Sequence, residues 1–270
     1  MSNFLKRTLS GFFFVVIIVG SIWLSPYSFA LVFTIITSWA VWEFHKLTNE
    51  QAGVELLPLL SIIGAAILFI TSFLYASNTF KYPSYSVYGV YVMAVLLLEL
   101  YRKKKNPLHN WAYFIMGQVM IALPFSLLNY ILYIESYHPL LLIAMFATIW
   151  INDTGAYLVG MTFGKHRLFE RISPKKSWEG FFGGAVTALL SGYVFSLFIP
   201  EISLLSWIIF SEIVVVFGTF GDLLESLMKR TVHVKDSGDV IPGHGGLLDR
   251  FDSMLLVAPA IFIYLSFLFK

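Results

Sequence analysis

Carboxylates recur at helical spacing near the end of the chain, among basic residues and glycines. Carboxylates gathered between apolar segments repel one another unless they meet cations, and all-oxygen ligation suits Mg²⁺. Asp249 and Asp252 are one helical turn apart. Four earlier residues follow the i, i+3, i+4, i+7 pattern of one helix face: Asp222, Glu225, Ser226 and Lys229. The pattern predicts a site for a divalent metal ion and for phosphate.

The same acids have an alternative role as partners of neighbouring bases. Lys229, Arg230 and Arg250 lie close to them in the sequence. For one isolated acid, such an ion pair is the more common arrangement. Because the acids occur together, we favour the metal site for the whole cluster.

A glycine-rich segment separates the two groups of acids. Residues 242–246 read Pro-Gly-His-Gly-Gly, which cannot continue a helix and lets the backbone approach a ligand closely. The amides of Gly245 and Gly246 are candidates to hold phosphate. Turns that bind nothing use the same residues, and the segment alone favours that simpler interpretation. His244 is a candidate phosphate donor or general base, or has neither role.

A second basic cluster occupies residues 164–180. Ser173 and Pro174 are typical of a helix N-cap followed by proline, which would direct free amides, together with Lys175 and Lys176, at an anion. Anchoring at the cytoplasmic membrane surface would also explain many of these bases. Asp153 lies inside an apolar run and either completes the metal site or hydrogen-bonds between helices.

The composition indicates a membrane protein. Hydrophobic residues make up 58% of the 270 residues, charged residues make up 13%, and the mean hydropathy is +0.78. The net charge of +2 is too small to suggest nucleic-acid binding. Cysteine is absent, so a bound metal must use oxygen or imidazole ligands.

Apolar runs long enough to cross a bilayer core of about 30 Å occur at about nine places. We therefore predict an all-α, polytopic integral membrane bundle, because lipid offers backbone groups no partners outside a helix. The first run follows two bases as in a signal peptide, but its length and the later runs favour an uncleaved span. The runs lie near Thr8 to Leu24, Tyr27 to Phe44, Val54 to Tyr75, Ser86 to Tyr101, Trp111 to Ile134, Pro139 to Gly164, Trp178 to Ile199, Ile202 to Lys229 and Arg250 to Phe269.

The distribution of bases predicts the orientation of these runs. With nine spans and a cytoplasmic N-terminus, 16 of the 18 Lys and Arg residues fall on the cytoplasmic side, and only Lys81 and Lys270 fall outside. Few ionisable residues lie inside the earlier runs. We therefore predict scaffold helices over residues 1–140 and a catalytic region over residues 141–270, within one membrane-embedded unit.

The segment from Ser226 to Asp252 resembles the signature of the phosphatidate cytidylyltransferases, also called CDP-diacylglycerol synthases. A second match covers residues 152–157 and 173–180, so the resemblance spans roughly the second half of the chain. The signature positions are Ser226, Lys229-Arg230, Lys235-Asp236, Pro242, His244-Gly245-Gly246 and Asp249-Arg250-Phe251-Asp252.

The resemblance implies an enzyme of the cytoplasmic (inner) membrane whose active site faces the cytoplasm. It would transfer a cytidylyl group from CTP to phosphatidate, giving CDP-diacylglycerol and pyrophosphate. The reaction would require Mg²⁺, with room for a second metal ion, and the enzyme could form a homodimer. Asp222 and Asp249 would bind metal, supported by Asp153 and Asp252. The implied catalytic residues are Asp222, Asp249, His244, Lys229 and Arg230. The implied substrate-binding residues are Lys175, Lys176, Ser226, Lys235, Gly245, Gly246 and Arg250.

Two other functions compete with this one. A CTP-dependent lipid kinase, or a cytidylyltransferase for another lipid phosphate, would use the same residue types. A secondary transporter would explain acids inside apolar runs, but it predicts weakly similar halves and charges at the midplane. The chain shows no such symmetry, and its charges cluster at the predicted membrane surface, so we rank the transporter last.

Overall fold

The computed structural model describes residues 3–49, 54–80, 85–238 and 245–269, with the side chains of the first helix described from residue 8. This part of the chain is mostly helical. Its helices are α1 (Asn3–Leu24), α2 (Pro26–Thr48), α3 (Pro58–Ala76), α4 (Tyr85–Arg102), α5 (Pro107–Gly117), α6 (Leu123–Leu132), α7 (Pro139–Phe163), α8 (Trp178–Phe198), α9 (Leu204–Thr231) and α10 (Met254–Leu268).

Within the described residues, six helical segments are long and apolar enough to cross a membrane. They are α2, α3, the continuous segment from α5 to α6, α7, α8 and α9, and two shorter apolar helices cover Thr8–Leu24 and Met254–Leu268. The chain is therefore a helical membrane protein, as predicted. Nine crossings and a cytoplasmic N-terminus stay predictions.

The structure departs from the all-helical prediction at residues 167–177. There, β1 (Arg167–Phe169) and β2 (Ser173–Ser177) form an antiparallel two-stranded ribbon. The predicted last run also begins late, because Leu248–Arg250 forms a 3₁₀ turn and α10 starts only at Met254. A short π-helical turn at Gln118–Ala122 joins α5 to α6.

The described chain divides into two compact units, each described here by itself. The first unit comprises Met1–Pro139 and Thr231–Phe251. In this unit α3 packs against α2, α4 and α6. Its apolar interior includes the contacting rings of Phe29 and Phe33, and the amide of Gln118 donates to the Ser61 carbonyl at 3.0 Å.

The second unit comprises Leu140–Arg230 and Asp252–Lys270. Small residues let α7 and α8 approach closely. A Cβ on Gly180 would lie 2.8 Å from the Ala156 carbonyl oxygen and 3.3 Å from the Gly160 Cα. Further along the same helices, the hydroxyls of Thr148 and Ser191 are 3.3 Å apart. Close helix contact of this kind is typical of membrane bundles.

Candidate active site

The predicted polar stripe on α9 forms two pairs of contacting side chains. Ser226 Oγ donates to Asp222 Oδ1 at 3.1 Å, and Lys229 Nζ lies 2.5 Å from Glu225 Oε2. Glu225 is fully buried and Lys229 is 8% exposed. Because a buried charge requires a partner, the pairing of Glu225 with Lys229 explains how both are tolerated in an apolar helix.

Lys176 supplies the cation nearest Asp222. Its Nζ lies 2.6 Å from Asp222 Oδ2 and 3.4 Å from the carbonyl oxygen of Thr219. Both charged side chains are partly exposed, at 26% and 30%. From the sequence, Lys229, Arg230 and Arg250 were the predicted partners of the acids. Lys176 was predicted only to bind phosphate, so its ion pair with Asp222 was not predicted.

The prediction that Ser173 is a helix N-cap is wrong. Ser173 and Pro174 lie in β2, and α8 begins four residues later, with Ser177 Oγ accepting from the amide of Gly180 at 3.1 Å. The amide of Trp178 donates to the His166 carbonyl, which extends the ribbon pairing to the helix start. The ribbon, and not a helix terminus, therefore presents the lysines.

Glu179 fixes the chain where the ribbon begins. Its carboxylate accepts from the amides of Lys165 and His166, at 3.1 and 3.2 Å, and lies 2.6 Å from His166 Nδ1. Gly164 passes so close to Ser177 Oγ that a Cβ there would lie 2.8 Å from it. These contacts set the path of residues 164–178 around the lysines.

A cavity of about 650 Å³ opens beside these groups within the second unit. Its size suits a ligand as large as a nucleotide. The polar wall includes Asn152, Asp153, Arg167, Lys175, Lys176 and Asp222. The apolar wall includes Ala156, Tyr157, Met161, Leu168 and Phe181. Cationic and acidic groups and an apolar surface therefore line the same cavity.

Asp252 belongs electrostatically to the same unit. Burial, followed by the charges of Asp222 and Asp153, raises its pKa to about 7, and Lys176 opposes this rise. The ionised form of a carboxyl group in such a position is stabilised when a cation binds beside it. Among the described residues, no three acidic or histidine side chains converge tightly enough to hold a metal ion as they stand. The donor chemistry, hard carboxylate oxygens with excess negative charge, fits Mg²⁺.

In the first unit, Asp249 holds the glycine-rich segment. Its Oδ2 accepts from the amides of Ser237 and Gly246, at 2.8 and 2.7 Å, and from Ser237 Oγ at 3.1 Å. Gly245 adopts a φ of +81°, and a Cβ there would lie 2.6 Å from Asp249 Oδ2. Residue 245 therefore requires glycine, as predicted. The amide of Gly246, a predicted phosphate donor, instead donates to Asp249.

Glu43 of α2 is a participant that the sequence did not reveal. It is 1% exposed, and its carboxylate accepts from the amides of Leu247 and Leu248, both at 2.8 Å, and from Ser237 Oγ at 2.9 Å. The signal available in the sequence was a single acid inside an apolar run, which calls for a partner. Nothing in the spacing indicated a partner about 200 positions away.

The remaining predicted residues are exposed or lie outside the described part of the chain. Pro242, Gly243 and His244 are outside it, so the proposed roles of His244 stay predictions. Four of the predicted bases are exposed, Lys175 and Arg230 in the second unit and Lys235 and Arg250 in the first.

Comparison with known proteins identifies the family. A model of the Cytidylyltransferase family matches residues 5–268. The phosphatidate cytidylyltransferase of Bacillus subtilis is 32% identical over 98% of this chain and 99% of its own length. The enzyme of the same name from Staphylococcus saprophyticus is 47% identical over 44% of this chain and 46% of its own length. The one from Haemophilus influenzae is 43% identical over 49% of this chain and 48% of its own length. The chain belongs to the cytidylyltransferase family.

Proposed function

We propose that this protein transfers the cytidylyl group of CTP to phosphatidate, giving CDP-diacylglycerol and pyrophosphate. In this reaction a phosphate oxygen of the lipid attacks the α-phosphorus of CTP, and the bond from that phosphorus to the β-phosphate oxygen breaks. The relatives reported above are named for this activity. One of them aligns with nearly the whole chain. The attacking phosphate is ionised near neutral pH, so no strong general base is needed.

The observation that best supports this proposal is the two-sided cavity of the second unit. Phosphatidate joins a phosphate to acyl chains, and so it needs cationic and apolar walls in one place. Lys175, Lys176 and Arg167 offer the cations, while Tyr157 and Met161, both about two-thirds exposed, extend the apolar wall along α7. A site for a water-soluble phosphate alone would not require the second wall.

Asp222, Asp153 and Asp252 would hold Mg²⁺ in this unit, and Asp249 stays a predicted metal ligand in the first. The bound ion would neutralise phosphate charge and polarise the α-phosphate of CTP. Lys176 would leave Asp222 when that carboxylate binds the ion and would then bind a substrate phosphate. Charge on the protein would thus stay balanced both before and after the substrates arrive.

The test is an incubation of the purified protein with labelled CTP, phosphatidate and Mg²⁺, with and without a chelator. We expect a labelled liponucleotide and one pyrophosphate per product, and neither after chelation. A lipid kinase would instead release CDP and leave the label out of the lipid. Formation of liponucleotide from another lipid phosphate but not from phosphatidate would reassign the substrate.

We further propose nine crossings, a cytoplasmic N-terminus and a location in the cytoplasmic membrane. The chain contains no cysteine, so single cysteines report topology without background. Thr79 and Lys105 are both exposed and lie at opposite ends of α4. We expect Thr79→Cys to react with an impermeant thiol reagent in intact cells and Lys105→Cys to react only after permeabilisation. The reverse labelling would invert the orientation.

A further inference from the structure

Glu43 and Asp249 together bind a continuous stretch of backbone amides in the first unit. The amide of Gly246 donates to Asp249, and the amides of Leu247 and Leu248 donate to the two carboxylate oxygens of Glu43. Ser237 Oγ contacts both carboxylates, Glu43 Oε2 at 2.9 Å and Asp249 Oδ2 at 3.1 Å. The two acids therefore share one hydroxyl, and each accepts from its own members of three successive amides.

The glycines beside these acids leave room for Glu43 in particular. A Cβ on Gly246 would lie 2.5 Å from Glu43 Oε2, and a Cβ on Gly238 would lie 3.1 Å from Glu43 Oε1. Ser237, Leu248 and Glu43 are all buried. The buried carboxyl group of Glu43 accepts several hydrogen bonds, as a polar group away from water requires.

We infer that Glu43 is a positioning residue for Asp249. Glu43 fixes Ser237 and residues 247–248, and these segments carry the amide and hydroxyl donors that orient Asp249 Oδ2. The inference rests on the proposed function, in which Asp249 is a predicted metal ligand. Groups that orient a metal ligand through hydrogen bonds tune the affinity for the metal, typically by 10- to 100-fold.

Glu43→Gln tests this role with almost no change in volume. The glutamine amide replaces one acceptor oxygen by a donor, which would face the amide of Leu247 or Leu248. One hydrogen bond from these amides would be lost, and two donors would face each other. We therefore expect residues 246–248 to be held less firmly. We expect the Mg²⁺ concentration for half-maximal turnover to rise roughly 10- to 100-fold, while the KM for CTP at saturating Mg²⁺ changes little.

Hydrogen exchange on the metal-free protein gives a second measurement that does not depend on activity. The amides of Ser237 and Gly246 bond to Asp249 and not to Glu43. If Glu43 positions Asp249, these two amides should exchange about tenfold faster in Glu43→Gln, as for loss of bonds of about 1.4 kcal/mol. Faster exchange restricted to Leu247 and Leu248 would mean that Glu43 is only a local brace and would overturn the inference.

Glu99→Gln is the matched control. Glu99 is also a buried acid of the first unit, 7% exposed, and it bonds to Asn110 and Arg102. Neither of these bonds involves the glycine-rich segment. We expect it to lower thermal stability but to leave the Mg²⁺ dependence and the Ser237 and Gly246 exchange rates unchanged.

Ser237→Ala tests the hydroxyl that links the two acids if Glu43→Gln does not fold. It removes the shared hydroxyl and keeps the backbone amide, so a smaller rise in half-saturating Mg²⁺, of about three- to tenfold, is expected. An unchanged Mg²⁺ dependence in folded Ser237→Ala would overturn the inference. A wild-type protein that forms no CDP-diacylglycerol would instead refute the proposed function, and the exchange measurement would still report on Glu43.

Discussion

Replacement of Lys176 by methionine should change metal affinity and nucleotide affinity in opposite directions. The lysine ammonium lies 2.6 Å from Asp222 Oδ2, so a metal ion that binds Asp222 must break this pair. Lys176→Met removes the competing cation and keeps most of the side-chain volume. The same change removes a cation proposed to bind substrate phosphate.

The partial burial of the pair sets the expected size of the effect. Ion pairs in water contribute up to about 1 kcal/mol and buried pairs more, so this pair, with side chains 26% and 30% exposed, should contribute roughly 1.4 kcal/mol. Its loss should tighten Mg²⁺ binding in the absence of nucleotide by roughly tenfold. Loss of a charged hydrogen bond to phosphate, about 1.5–3 kcal/mol, should raise the KM for CTP roughly 10- to 100-fold.

Calorimetric titration of the nucleotide-free protein with Mg²⁺, together with initial rates over a range of CTP concentrations, measures both effects. Lys175→Met removes the same charge from the neighbouring strand position, an exposed cation of the same cavity, and leaves the ion pair of Lys176 with Asp222 in place. It should leave Mg²⁺ affinity unchanged. Weaker Mg²⁺ binding in Lys176→Met would refute the competition between Lys176 and the metal for Asp222.

Three further outcomes follow from the described contacts. Mg²⁺ affinity should increase with pH up to about 7, by up to about tenfold per unit, because the raised pKa of Asp252 keeps this carboxyl protonated below that value, and Asp252→Asn should flatten the dependence measured by titration at each pH. Gly180→Ala should destabilise the protein by about 1–3 kcal/mol, measured by thermal unfolding in detergent, because the new Cβ meets the Ala156 carbonyl. Gly89→Ala should not, because a Cβ there has no neighbour within 4 Å. Asp249→Asn should abolish CTP-dependent turnover while the protein still inserts and folds, and near-normal activity would remove Asp249 from the predicted metal ligands.

The helices could be predicted from the sequence because a bilayer imposes a minimum length on every apolar run. The connections between them were harder to predict. Ser173 and Pro174 suit both a helix start and a strand, and local preference does not distinguish the two. The ribbon is selected instead by pairing with residues 167–169, which no single-segment pattern contains.

Individual chemical groups were predicted better than their partners. The i, i+4 contacts of α9 follow directly from helix geometry, and both Asp222–Ser226 and Glu225–Lys229 are present. Lys176 reaches Asp222 across 46 positions and Glu43 reaches Ser237 across 194. Such contacts depend on how elements pack, and a single sequence carries no record of that packing.

The length of α9 determines the depth at which its charged end lies. Its 28 residues extend about 42 Å, which exceeds a hydrocarbon core of about 30 Å. Asp222 lies about 27 Å along the helix from Leu204 and Lys229 about 38 Å, so a helix that crosses with Leu204 at one boundary of the core would place Asp222 close to the other boundary and Lys229 among the lipid headgroups. With this placement a lipid phosphate would already lie beside these side chains, and the protein would not need to lift its lipid substrate out of the leaflet before the reaction.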